Sequence, residues 1–246
     1  VVAVVELETL VTYFDEAEDA STAARRVSER CRDYYDGDQL TTEERATLTR
    51  RGQPPVVFNM IQPKVDWLLG MEQQRRTDPK AFPRTPDHNE AADAATDAIR
   101  YVLDNNDFDE LASDQFAHMA IEGTGGCSVE VKETGDNIEV SLLPLEWNRL
   151  SIDPHSMRTD AADARYISYI TWKDVDDAQH RWPDADIEQA YISNRPQVDT
   201  KDDKPTRWYS STRRRVMCVE MYFLHEQQWH YAIFVKGAWL QEPELS

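Results

Sequence analysis

The apolar residues of this 246-residue chain change period once. Up to Gly123 they recur every three or four positions; from Cys127 onward they alternate. A stripe at helical spacing cannot serve as one face of a strand, so the order of elements is fixed as helices first and strands second. That order predicts an α+β fold, with N-terminal amphipathic helices followed by antiparallel strands and a helical insertion, rather than a run of βαβ units. It divides the chain into a helical segment, 1–123, and a mainly β segment, 124–246, that contains a helix at about 173–182.

Within the first segment, residues 6–35 carry Leu7, Leu10, Val11, Phe14, Ala17, Val27 and Cys31 on one helical stripe. Residues 36–55 read as a loop, punctuated by Gly52, Pro54 and Pro55, with a short helix near 42–48. Asn59 is placed to cap a helix running to about residue 76. Pro86-Asp87 opens a third helix with a predicted buried stripe of Ala91, Ala95, Ala98, Ile99, Val102 and Leu103. A fourth covers about 108–122 and stops at Gly123.

In the second segment, 128–131 and 138–142 form a hairpin around Gly135-Asp136-Asn137. Short strands follow at 149–152 and 166–172. Thr171 and Asp174 begin a helix as a capping box, Trp182-Pro183 ends it, and a polar stretch covers 193–206. Strands at 216–223 and 229–235 join around Glu226-Gln227-Gln228.

Forty-six acidic against 27 basic residues give a formal charge of −19, which excludes a basic protein that coats nucleic acid. The 40% hydrophobic content and seven Trp exclude a charge-rich disordered chain. No apolar run approaches the ~20 residues of a membrane span. Cys31, Cys127 and Cys218 have neither disulfide-framework nor metal spacing. The start at Val1 and the end just after a strand lead us to expect a piece of a longer protein.

Residues with catalytic or ligand chemistry are few. Gly123-Thr124-Gly125-Gly126 lies between a helix and a strand, the reverse of a phosphate loop, so Gly123 is expected at a helix C-terminus. Asp153, His155, Asp160 and Asp163 cluster in one segment, but without the alternating oxygens and bidentate Glu of a calcium loop; a turn with Asp-capped amides is the expected arrangement. His225 and His230 flank a hairpin with no third ligand at a recognisable spacing. The residues therefore point to no catalytic, cofactor-binding or metal-ligating set. The pairs Arg25-Arg26, Arg50-Arg51 and Arg75-Arg76 and the triplet Arg213-Arg214-Arg215 are expected in ion pairs and at interfaces, and Trp182, Trp208 and Trp229 as core or interface anchors. Arg25, Arg26, Trp67, Arg75 and Arg76 are the candidates for a subunit interface.

Several segments occur in a familiar order. Tyr34-Tyr35-Asp36-Gly37-Asp38-Gln39, then Pro55-Val56-Val57-Phe58-Asn59-Met60-Ile61, then 70–76 with Pro79 and Pro83, are followed by Glu122-Gly123-Thr124-Gly125-Gly126. Asp153-Pro154-His155-Ser156, Asp163-Ala164-Arg165-Tyr166 and Trp172-Lys173-Asp174 complete the series. This colinear set, from about residue 31 to 246, resembles the portal proteins of tailed bacteriophages, most closely the short-tailed (podovirus) type.

The resemblance implies a structural subunit, not an enzyme, of a dodecameric ring at one capsid vertex. It implies DNA packaging and ejection through that ring, and partners that include other copies of the chain, the large terminase, major capsid and scaffolding proteins, a head-completion or adaptor protein and, transiently, double-stranded DNA. No cofactor and no membrane belong to this role. The location it implies is the portal vertex of the virion, after assembly in the host cytoplasm. The chain corresponds to the wing, and the stem, clip and crown helices are expected beyond Ser246. Two other readings remain: a metal-dependent hydrolase using Asp153, His155, Asp160 and Asp163, and an acidic interaction module of a salt-adapted organism.

Overall fold

The computed structural model describes residues 5–134, 137–194, 208–210 and 213–246. The fold is α+β. Helices α1 (Leu7–Asp36), α2 (Thr42–Arg50), α3 (Gln62–Gln74), α4 (Asn89–Asn105) and α5 (Phe108–Ile121) precede the hairpin β1 (Gly126–Thr134) and β2 (Asn137–Leu145). Then come β3 (Leu150–Ile152), β4 (Tyr166–Asp174), α6 (Val175–Arg181), α7 (Ile187–Asn194), β5 (Tyr209–Ser210), β6 (Arg215–His225), β7 (Gln228–Val235) and β8 (Ala238–Leu245). The packing forms two compact units, Val1–Ala23 with Asn148–Ser246, and Ala24–Trp147. The change from helix to strand at residue 123 thus separates element types, whereas packing groups the chain differently. The first helix contributes residues to both units.

The unit containing the C-terminal half is a six-stranded sheet ordered β3-β4-β6-β7-β8, with β5 beside β6. All of its pairings are antiparallel. Val216, Met217, Cys218 and Val219 are buried in succession on β6, which requires cover on both faces of that strand. The core joins Leu10, Val11, Phe14 and Ala17 of α1 to Val175, Ala178, Ile187 and Ala190 of α6 and α7. Tyr13 stacks on Tyr166 at 5.1 Å, and Phe14 meets Trp208 edge-on at 5.1 Å. The Trp208 indole donates to Asp15 at 3.2 Å, so this Trp is a core anchor with its polar atom satisfied. Deep in that sheet, burial pushes the Cys218 thiol up to about 12.

Several expectations need correction here. Helix α6 begins at Val175 with Asp174 as its N-cap and no side-chain capping bond, and Thr171 Oγ1, buried in β4, has no partner among the described residues. Helix α7 falls in a stretch without a clear apolar period. The register pairs His230 with Phe223 and His225 with Gln228, which makes the two histidines diagonal neighbours with ring centroids 5.8 Å apart. The polar stretch at 193–206 lies largely outside the described residues, as do Gly135 and Asp136 of the hairpin turn. That hairpin pairs Thr134 with Asn137.

Candidate functional site

The unit formed by Ala24–Trp147 has almost no apolar core. Its buried hydrophobic residues, among those described, are Ala92, Leu111 and Ile121. Polar clamps at element ends hold it together. Asn59 donates to Tyr35 O at 2.7 Å and accepts from the amides of Ile61 and Gln62, which ties the end of α1 to the start of α3. Asn59 therefore serves the expected helix start, although the cap residue itself is Ile61.

Arg76, one of the expected interface residues, is engaged within its own unit. It forms ion pairs with Glu72 at 2.7 Å and with Asp109 at 3.3 Å, and donates to Ser113, joining α3 to α5. The guanidinium holds the Glu72 carboxyl below the usual range. Arg26 and Arg75 are exposed and Arg25 is half-buried. Trp67 is exposed at 67%.

The junction after α5 is built by glycine and a buried carboxylate. Gly123 has φ +89° and its amide, like that of Glu122, donates to His118 O, the helix-end geometry read from the sequence. A Cβ on Gly125 would lie 2.3 Å from Gln115 O, and Gly126 N donates to the Gln115 side chain at 2.7 Å. The glycines thus serve close approach of backbone to helix, not a phosphate. Glu122, with its side chain fully buried, receives Arg32 of α1, and its carbonyl accepts from Ser28 at 2.7 Å.

Asn106 was not singled out by sequence reasoning, yet it holds the hairpin. Its amide donates to Val140 O at 2.9 Å and accepts from Leu142 N at 2.8 Å, occupying part of the outer edge of β2 as a short strand would. The only signal was an Asn at a helix end.

Helix α4 buries a different face from the predicted one. Ala92 and Thr96 are inside and Val102 and Leu103 of the predicted stripe are half-buried, while Ala91, Ala95, Ala98 and Ile99 are exposed. The Thr96 hydroxyl accepts from Ala81 N at 3.1 Å and so seats the incoming chain on that side. The alanine face has no cover among the described residues. The same is true of Phe58, at 85% exposure, and of Val129 and Ile138 on the hairpin. The unit is thus held by polar clamps and exposes its apolar faces among the described residues.

The acidic loop forms the expected turn. Asp153 accepts from His155 N at 2.9 Å and Arg165 N at 3.0 Å. Asp163 accepts from the Ser156 hydroxyl at 2.6 Å and Met157 N at 2.8 Å, bonds that hold its carboxyl below the usual range. Arg158 pairs with Asp160 at 2.6 Å and holds it at about 2. The oxygens that a metal would need are occupied by amides and Arg158, and no group of three ligating side chains gathers among the described residues. Arg214 and Arg215 pair with Glu188 at 2.6 Å and Asp174 at 2.7 Å. No helix among the described residues is long and apolar enough to cross a membrane.

The family described as phage P22-like portal protein matches residues 11–245. A portal protein of Helicobacter pylori bacteriophage KHP30 is 23% identical over 133 residues, a stretch that is 54% of this chain and 22% of that protein.

Proposed function

The chain belongs to the phage P22-like portal protein family, and on that premise we propose that it forms the wing of a dodecameric ring at one vertex of a phage capsid. The family is a structural one associated with the virion capsid. In the proposed ring, double-stranded DNA passes inward during packaging and outward at ejection. The large terminase docks on one side, a head-completion or adaptor protein on the other, and capsid and scaffolding proteins surround the rim during assembly in the host cytoplasm.

The observation that carries the reading is the match over residues 11–245. The scarcity of buried apolar residues between Ala24 and Trp147 supports it, because such a unit gains its missing cover in an assembly. The acidity fits as well. Twelve copies at −19 carry on the order of 230 negative charges, and a conduit that repels phosphates does not grip the moving duplex. Class averages of the complete chain by negative-stain electron microscopy test the proposal: rings with a central opening support it, and isolated small particles at micromolar concentration overturn it.

A further inference from the structure

Between α2 and α3 the chain runs extended. Val57 and Asn59 face inward and are half-buried, whereas Val56, Phe58 and Met60 are exposed. The alternation is that of a strand, yet the backbone groups of residues 57–60 make no backbone hydrogen bond among the described residues. This is a strand without a sheet. A segment of this kind is the ordinary donor in strand addition, where main-chain bonds supply affinity and alternate side chains fill pockets.

The same unit contains an incomplete sheet. The hairpin β1–β2 stands as a two-stranded sheet, an arrangement that is marginal in water without a third strand or a packed face. Asn106 occupies part of the β2 edge, and β1 pairs on one side only. In the register Val129 faces Leu142, Val131 faces Val140 and Ile138 lies on the same face, so Val129, Val131 and Ile138 form an exposed apolar stripe.

The two surfaces complement each other in charge. From residue 46 to 65 the chain has Arg50, Arg51 and Lys64 and no acidic residue, in a protein with 46 Asp and Glu. The hairpin and its exit carry Glu130, Glu139 and Glu146 on the exposed or half-buried surface against one base there, Lys132, which lies 3.8 Å from Glu130. The six apolar side chains named above offer on the order of 700 Å², more than half of the smallest stable interface, before backbone and charged groups are added.

Building on the ring reading, we infer that the extended segment 57–60 of one copy adds to β1 of the next copy and that Val56, Phe58 and Met60 lie against its hairpin. The contact joins two different surfaces of the same chain, so it is head-to-tail, the type that closes a ring. An open row of copies keeps one free donor at one end and one free acceptor at the other until closure.

Paired cysteines test the contact in the complete chain. In a Cys31→Ser, Cys127→Ser background, Val56→Cys, Phe58→Cys or Met60→Cys is combined with Val129→Cys or Val131→Cys, and ring mass is measured alongside mild oxidation. All five positions are exposed, and single-cysteine variants serve as controls. At least one pair is expected to give a reducible ladder of dimer, trimer and larger species while the single variants do not. Rings that form with no ladder overturn the contact and leave the portal reading standing. A bridged monomer means the chain covers its own hairpin, and a product that stops at dimer means a two-fold contact; each overturns the inference. Failure to form any ring overturns the portal reading along with it.

Discussion

Arg32 on α1 and Glu122 at the end of α5 form an ion pair across 90 residues of sequence, with the Glu122 side chain fully buried and His118 Nδ1 3.4 Å from its other oxygen. The pair closes the helical unit at the point where the chain turns into the hairpin. Removing one partner from a buried pair leaves a charge without compensation, which costs more than removing both. Arg32→Met is expected to destabilise the unit by about 3 kcal/mol, and Arg32→Met with Glu122→Leu by less. Urea denaturation of the four members of the double-mutant cycle measures both. A loss in the double variant equal to the sum of the two single losses would show that the pair is not coupled.

Gly125→Ala forces a methyl group to within 2.3 Å of Gln115 O. Backbone cannot yield as a flexible side chain does, so the variant is expected to lose about 2 kcal/mol. Gly126→Ala, where a Cβ meets nothing within 4 Å, is the matched control. A smaller loss at 125 than at 126 in thermal denaturation would contradict the role given to Gly125.

The acidic turn has a defined pH dependence. Asp160 and Asp163 are depressed below the ordinary carboxylate value, Asp160 to about 2, by Arg158 and by the Ser156 hydroxyl respectively. A depressed carboxyl contributes order that is complete above its unfolded value near 4 and is lost as pH falls through the folded one. Amide exchange at Met157, Arg158 and Ala162 is therefore expected to remain protected at pH 5 and to accelerate between about pH 4 and 2 beyond the intrinsic trend. Protection unchanged across that range would contradict the assignment. Asp163→Asn is expected to remove most of the dependence at Met157.

The β6–β7 turn places Glu226 at φ 48° and Gln227 at φ 66°, left-handed positions occupied by residues that disfavour them. Replacing them by Asn-Gly is expected to raise stability by about 1 kcal/mol, read as a higher Tm. A lower Tm would mean that the native side chains contribute contacts that offset the strain.

The long elements were legible because their pattern is strong. The stripe from Leu7 to Phe14, the short apolar runs of β6 and β7 and the helix stop at Gly123 each follow from spacing or from one residue's backbone freedom. Helix α7 was not, since Ile187, Ala190 and Tyr191 reach the core from a short segment whose fold depends on the sheet beneath it. The face of α4 was misread for a different reason. Its alanine stripe is a genuine apolar face, but the spacing of a stripe does not say whether the cover comes from the same chain. The clamps at Asn59, Arg76 and Asn106 join residues tens of positions apart and leave no periodic trace.

The central claim is that this chain assembles into a portal ring. Native mass spectrometry of the complete chain at micromolar concentration tests it most directly. The account predicts one dominant species of about twelve subunits; a protein that remains strictly monomeric would contradict it.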